Sequence, residues 1–274
     1  MVFVEIDETN IKQFSSVLPL ELIDGLGISI GAAEDEEVWG AISLSYNGEE
    51  YNVDWLYVSP SVRFQGIGRE LIREVRSLVA NAGLCPIRMQ VNASDDSGLY
   101  GFLLSIEDED PPIDVIYSHD RYIITTEDFS RSAIIEKVAN EHMVTAYETE
   151  RFWSLDTSAR EDMFNLIVEN FSVFDEAKFS ASCEKDLCLA TRTKGRPEAF
   201  ILVEREDETT LKLSYLYAAN PKALASLFQD VSAMLMEYPN PQTVYFEPIT
   251  PESKRLADRI FRDVKKERIF EAEL

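Results

Sequence analysis

The 274-residue chain is poor in the residues that hold metals, build disulfide frameworks or bind polyanions. Its three cysteines, Cys85, Cys183 and Cys188, are too few and too unevenly spaced for a disulfide scaffold, and none sits in a Cys-x-x-Cys pair. They read as small buried apolar residues. Only two histidines occur, His119 and His142, which excludes multi-His metal sites and leaves any Ser-His-Asp triad resting on one of them. Each reads as a surface or hydrogen-bonded side chain, and no metal is expected. Basic residues are outnumbered: 26 Lys plus Arg against 50 Asp plus Glu give 26 − 50 = −24. A chain this acidic lacks the basic face that nucleic acid or an anionic membrane surface requires. Long apolar runs are missing too. Stretches such as Ala199–Val203 fall far short of the roughly 20 residues of a membrane span. Met1–Asp7 has neither the basic flank nor the apolar core of a signal peptide, so the expected location is cytoplasmic. Catalysis in such a chain leans on carboxylates, tyrosine or backbone.

What the chain does have is 45% hydrophobic residues, enough for buried cores, arranged as strands and helices in alternation. Phe3–Ile6 reads as a strand leading to a helix near Thr9. Val38–Tyr46 and Tyr51–Val58 read as strands joined by the hairpin signal Asn47-Gly48, the second apolar on both faces and hence central. Leu71, Ile72, Val75, Leu78 and Val79 mark one helix face, stopped by Gly83. Ile87–Val91 is a further strand. Leu99, Phe102, Leu103 and Ile106 form an apolar helix stripe ended by Glu107–Pro112. Asp114–Tyr117 and Tyr122–Thr125 read as strands about a turn at His119-Asp120.

The order recurs. Phe3–Asp7 matches Phe152–Asp156 at an offset of 149, Leu56-Tyr57 matches Leu216-Tyr217 at 160, and Leu71, Ile72 and Val75 match Leu227, Phe228 and Val231 at 156. The fall from 160 to 156 marks four residues lost where the first copy carries Arg63–Gly68. An internal duplication is the preferred reading, with two unrelated α/β halves as the alternative; it gives an N-terminal domain over residues 1–126, a linker over 127–149 and a degenerate second copy over 150–274.

Between the central strand and the helix lies Arg63-Phe64-Gln65-Gly66-Ile67-Gly68-Arg69. The first N–H groups of a helix have no intrahelical partner, and the helix dipole adds positive potential, so a glycine-bearing entry turn is a ready phosphate site. A glycine turn that merely enters a helix is the plainer alternative for the two glycines alone. Arg63, Arg69, Arg73 and Arg76 make this segment locally basic, although Arg73 and Arg76 also suit a solvated helix face with Glu70 and Glu74.

Leu56–Leu71 resembles the acetyl-CoA motif of the GNAT-type N-acetyltransferases, most strongly within Val38–Val91, and by topology the half from Phe152 to Leu274 looks like a second, degenerate copy. The resemblance implies an α/β fold of two GNAT-like domains, each a mixed, mostly antiparallel sheet flanked by helices. It implies that the backbone of Leu56, Tyr57 and Val58 pairs with the pantetheine arm of acetyl-CoA. Amides from Arg63, Phe64, Gln65, Gly66, Ile67, Gly68 and Arg69 then hold its pyrophosphate. Acetyl-CoA is thus the expected co-substrate of an N-acetyltransferase, and a primary amine, a small cationic molecule in the first instance, the acceptor. A non-catalytic acyl-CoA-binding module and a protein N-acetyltransferase stay open as alternatives, as do a monomer and a homodimer. The general acid of the family is a Tyr on the helix after the third strand. Direct alignment places Phe102 there, and Tyr100 takes the role only through a gap. Gln90 stands where some relatives carry a base. Asp54, read as sharing a strand face with Leu56 and Val58, is the remaining candidate base. The second copy lacks every glycine of the loop over Ala218–Ser226, so no anion site is expected there.

Overall fold

The computed structural model describes residues 1–19, 22, 27–35, 37–83, 85–94, 98–108, 112–140, 147–171, 176–238, 240, 242–248 and 250–274. His142 and parts of the acidic runs at 34–37 and 107–110 lie outside them. The chain forms two compact units, Met1–Ser118 with Arg268–Leu274, and His119–Glu267. Among the described residues, no helix is long and apolar enough to cross a membrane.

The first unit contains β1 (Val2–Glu5), α1 (Ile11–Phe14), β2 (Ile28–Glu34), β3 (Glu37–Tyr46), β4 (Tyr51–Val58), α2 (Ile67–Ala82), β5 (Ile87–Asn92) and α3 (Leu99–Ser105). Its sheet runs β1-β2-β3-β4-β5 and is closed by the end of β12 (Lys265–Glu273), whose Ile269–Glu273 pair antiparallel with Asn92–Arg88. Every pairing is antiparallel except β4 with β5. One face buries Leu71, Ile72, Val75 and Val79 of α2 against Ile30, Ile42, Leu44 and Met89. The opposite face packs Phe14, Val17 and Leu18 against Ala41, Trp55 and Tyr57. Amphipathic spacing alone placed the α2 face, and Gly83, in an extended positive-φ conformation, ends the helix as expected.

The second unit repeats the plan with α4 (Thr126–Ser130), α5 (Ala133–Asn140), β7 (Thr149–Arg151), α6 (Thr157–Phe171), α7 (Glu176–Ser182), β8 (Leu189–Thr193), β9 (Arg196–Arg205), β10 (Thr210–Ala218), α8 (Pro221–Met236), β11 (Thr243–Phe246) and α9 (Pro251–Ile260). Its sheet runs β7-β8-β9-β10-β11, closed by the end of β6 (Asp114–Thr125), where Tyr122–Thr125 pair antiparallel with β11. Only β10 with β11 is parallel. The buried residues Leu227, Phe228, Val231 and Leu235 of α8 stand 156 positions after Leu71, Ile72, Val75 and Val79, as the duplication requires.

Four expectations need correction. The boundary at 126 and the linker over 127–149 do not describe the chain. Phe129 is fully buried, Ile134 and Ile135 pack on the core of the second unit, and the first sheet takes its closing strand from Arg268–Leu274. The match of Phe3–Asp7 to Phe152–Asp156 is three residues out of strand register. Ile6 N–H bonds Ser29 C=O at 2.8 Å and Phe152 N–H bonds Cys188 C=O at 2.8 Å, which equates Ile6 with Phe152 at an offset of 146. The helices that follow keep the offset of 146, α1 starting at Ile11 and α6 at Thr157. No turn breaks the chain at His119-Asp120. Residues 114–125 are one strand, with Arg121 donating to Glu247 at 2.7 Å and Asp120 bonded to Lys254. Finally, Cys188 is buried but Cys85 and Cys183 are only half-buried, and all three are free thiols.

Candidate active site

β4 and β5 pair only through Tyr51 with Ile87 and Asn52 with Arg88 before they diverge. Beyond that point β4 has a bare edge. Ser59 N–H bonds Trp39 C=O at 2.7 Å. By the alternation of an antiparallel ladder, Leu56 and Val58 therefore turn their N–H and C=O groups away from β3, into the gap. A backbone edge of this kind binds an extended amide chain, as a neighbouring strand would.

A bulge interrupts β3 and β4, because Ser43 pairs with Trp55 while Leu44 pairs with Val53. Asp54 is the extra residue. Val53, Leu56 and Val58 all contribute to the α2 face, and Trp55 and Tyr57 to the α1 face. Asp54 therefore does not share a face with Leu56 and Val58, since the bulge resets the alternation. Its exposed carboxylate accepts a hydrogen bond from Ser45 at 3.1 Å, on the face that carries Gln90. The second unit bulges at the homologous place: Leu213 pairs with Val203 and Tyr215 with Leu202, leaving Ser214 extra. There Ser214 donates to Glu204, the two chemistries exchanged between strands.

After β4 the chain makes a 3-10 turn at Pro60–Val62, and Arg63 donates its Nε to Val58 C=O at 3.0 Å, with its guanidinium 5.9 Å from the Tyr57 ring. Gly66 is the N-cap of α2 at φ +85, with no side chain to cap the first turn. A Cβ there would meet nothing within 4 Å, so the space in front of the Ile67 and Gly68 amides is open. Behind Gly68 the helix is closely backed, because a Cβ would lie 3.2 Å from Cζ of Phe102. Arg69 begins the helix, while Arg73 pairs with Glu70 at 2.6 Å and Arg76 donates to Pro112 C=O at 3.1 Å. The last two are thus committed to the helix surface.

On α3 the residues at 100 and 102 point about 200° apart. Phe102 faces the loop, and Tyr100 packs on Phe270 of β12 with ring centres 4.5 Å apart. The aligned position is held by a ring without a proton to give.

The equivalent helix start in the second unit is closed. β10 ends at Ala218, Asn220 caps α8 by accepting from Lys222 N–H at 3.0 Å, and Pro221 occupies the first turn. By the core offset of 156, α8 begins two residues before the point at which α2 begins, so the glycine loop is replaced by helix. Glu247 stands at the counterpart of Gln90, given the pairings of Ile87 with Tyr51 and Val244 with Leu211. Burial alone would raise its carboxyl, but hydrogen bonds from His119 and Arg121 and the nearby Lys212 charge hold it at about 2. It is the anchor of an ion-pair cluster, fixed as carboxylate, and sequence reading had not singled it out. Its only signal was an acidic residue one position beyond a strand. Cys188 is likewise inert, its thiol pushed up to about 12 by burial.

Residues 27–101 match the family described as the acetyltransferase (GNAT) domain. No curated protein matches the chain. Among solved structures, a tandem GNAT protein from the clavulanic acid biosynthesis pathway superposes with a TM-score of 0.60 at 14% identity, covering 99% of this chain and 98% of that one. The glucosamine N-acetyltransferase region of a fungal multi-domain β-N-acetylglucosaminidase gives 0.65 at 11% identity over 100% of this chain and 38% of that one. A GCN5-related N-acetyltransferase from Sphaerobacter thermophilus gives 0.54 at 13%, covering 97% and 85%. At these identities the likeness is one of fold. With a glycine-opened helix start beside a splayed strand pair in the first unit and the same topology repeated in the second, residues 27–101 match a GNAT domain and the chain as a whole has the fold of tandem GNAT proteins.

Proposed function

We propose that the first unit transfers an acetyl group from acetyl-CoA to a primary amine. The observation that carries the reading is the uncapped N-terminus of α2 at Gly66, placed at the end of the bare edge of β4. The edge groups of Leu56 and the N–H of Val58, whose C=O already accepts from Arg63, pair with the amides of the donor's arm, and the Ile67 and Gly68 amides with Arg63 and Arg69 meet its phosphates. The thioester then lies in the gap between β4 and β5. An amine entering from the α1 face meets Asp54, which takes its proton directly or through one water, and the neutral nitrogen attacks the thioester carbonyl. The tetrahedral intermediate loses the extra proton on its nitrogen to solvent, the C=O re-forms as the C–S bond breaks, and the thiolate leaves as coenzyme A. Solvent protonates it, because Phe102 and not Tyr100 faces the loop from α3.

The acceptor is a small cationic amine, supported by the charge of −24 with the arginines gathered at the donor loop. The second unit binds no donor of its own, its helix start being sealed by Asn220 and Pro221. Calorimetric titration with acetyl-CoA, followed by a coenzyme A release assay across mono- and polyamines, tests the reading. Binding with turnover on at least one amine supports it, and absence of acetyl-CoA binding removes it. Phe102 and Gln90 favour one other reading, a donor-binding module without turnover. Tight binding with no release on any amine, peptide or lysine acceptor would select it.

A further inference from the structure

Phe64 is an anomaly on the surface of the first unit. It is 105% exposed, whereas the other exposed large apolar residues among those described lie between 36% and 65%. Its ring therefore touches almost nothing of its own chain. Its backbone is left-handed at φ +65, a region disfavoured for a bulky L-residue. The other two described non-glycine residues with positive φ, Asp35 and Lys194, sit in the connections between β2 and β3 and between β8 and β9, and the second of these is followed by Gly195. Tight hairpin connections account for them. No such turn accounts for Phe64, which lies between Arg63 and the N-cap glycine of α2, two residues from the phosphate cradle and so at most about 7 Å along the chain.

We infer that Phe64 is the stacking platform for the purine of the donor, a role for its side chain beyond that of the loop backbone. The inference rests on the donor-site reading above and deepens it. In a nucleotide the base follows the phosphates by one ribose, which puts it beyond the cradle, and Phe64 lies two residues from that cradle with its ring exposed. Stacking needs a bare π-face and no charge, which is what a fully exposed phenyl ring offers. Arg63, the neighbouring residue, supplies positive charge for the phosphates on either side of the ribose. An arm tethered to a carrier protein ends in a single phosphate ester with no base, and leaves the ring in water.

The test compares coenzyme A with 4′-phosphopantetheine, which keeps the arm and one phosphate but lacks the base, on the full chain by isothermal titration. Phe64→Gly suits the left-handed backbone, so the variant folds, and an unchanged or raised Tm verifies this. Stacking on an aromatic side chain predicts that Phe64→Gly weakens coenzyme A by about 10- to 100-fold while phosphopantetheine changes less than about 2-fold. Phe64→Trp should keep coenzyme A within about 3-fold, with its indole emission quenched on addition of coenzyme A and not of phosphopantetheine. If Phe64→Gly binds coenzyme A as the parent does, or loses both probes equally, the platform is refuted while the donor site stands. If the parent binds neither probe, the donor site itself falls and the inference with it.

Discussion

Replacing Gly66 separates the space a ligand needs from the space the fold needs. A Cβ at Gly66 meets no protein atom within 4 Å, so neither Ala nor Asp there creates a clash. The backbone at φ +85 nevertheless costs an alanine about 1–2 kcal/mol. Aspartate tolerates this region better, and its charge at a helix N-terminus is favourable by about 0.3–1 kcal/mol. Stability should therefore run parent, then Gly66→Asp within about 1 kcal/mol, then Gly66→Ala. Binding should run differently. An Asp carboxylate about 4 Å from a phosphate charge is repelled by roughly 1 kcal/mol in water and roughly 4 at an effective dielectric of 20. Two phosphate charges double this to roughly 2–8 kcal/mol, giving at least about a 30-fold loss of acetyl-CoA affinity. Alanine adds bulk without charge, for about a 10-fold loss. Urea melts give the stability order and calorimetry the affinity order. The Asp variant should recover part of its loss in 1 M salt, where the screening length shrinks to about 3 Å. Gly66→Asp binding within about 3-fold of the parent, or affinities that follow the stability order, would refute the cradle.

Four further outcomes are expected. Glu247→Gln should cost about 3 kcal/mol at pH 7, the value of holding a carboxyl at about 2 against 4.5 in the unfolded chain. Because the folded value is depressed, this contribution is complete above pH 4.5 and fades as pH falls toward 2, so urea midpoints of parent and variant should converge over that window. Asp54→Asn should lower kcat by about 100-fold or more when chemistry is rate-limiting, with acetyl-CoA affinity kept, whereas Tyr100→Phe should stay within about 2-fold; the reverse pattern would restore Tyr100 as the acid. For cationic amines kcat/KM should fall with ionic strength after correction for the deprotonated fraction, and for matched neutral amines stay flat; equal responses would leave pocket shape as the selector. Deleting Arg268–Leu274 strips β5 of its antiparallel partner and removes fully buried Ala272, so acetyl-CoA binding should vanish and limited proteolysis should cut the first unit before the second.

The turn between β4 and α2 was legible because its signals are local. Asn47-Gly48 fixed the hairpin, the spacing of Leu71, Ile72, Val75 and Val79 fixed the helix face, and Gly66 fixed the helix start, each within a few residues of its cause. The bulge was hidden by its own strand. Tyr51–Val58 is apolar on both faces, so a slip at Asp54 leaves no gap in the pattern, and Asp54 was assigned the wrong face. The facing of α3 was ambiguous for a like reason, since Tyr100 and Phe102 are both partly buried and only the approach of Phe102 to Gly68 decides between them. The unit boundary and the straight passage through His119-Asp120 depend on partners more than 100 residues away, Glu247 and Lys254 among them. A windowed reading of periodicity has no access to such pairs.

The strand that closes the first sheet sets the order in which the protein can be built. Ser118 and Arg268 are 268 − 118 = 150 residues apart, and all of the second unit lies between them. At about 5–20 residues per second, roughly 8–30 s separate synthesis of the body of the first unit from that of its closing strand. For that interval the Arg88–Asn92 edge of β5 has no permanent partner and is open to any other extended segment. The second unit is continuous in sequence and completes its own sheet earlier. Maturation therefore runs against the usual N-terminus-first direction: the body of the first unit is translated first, and its sheet is completed only after the second unit has been made.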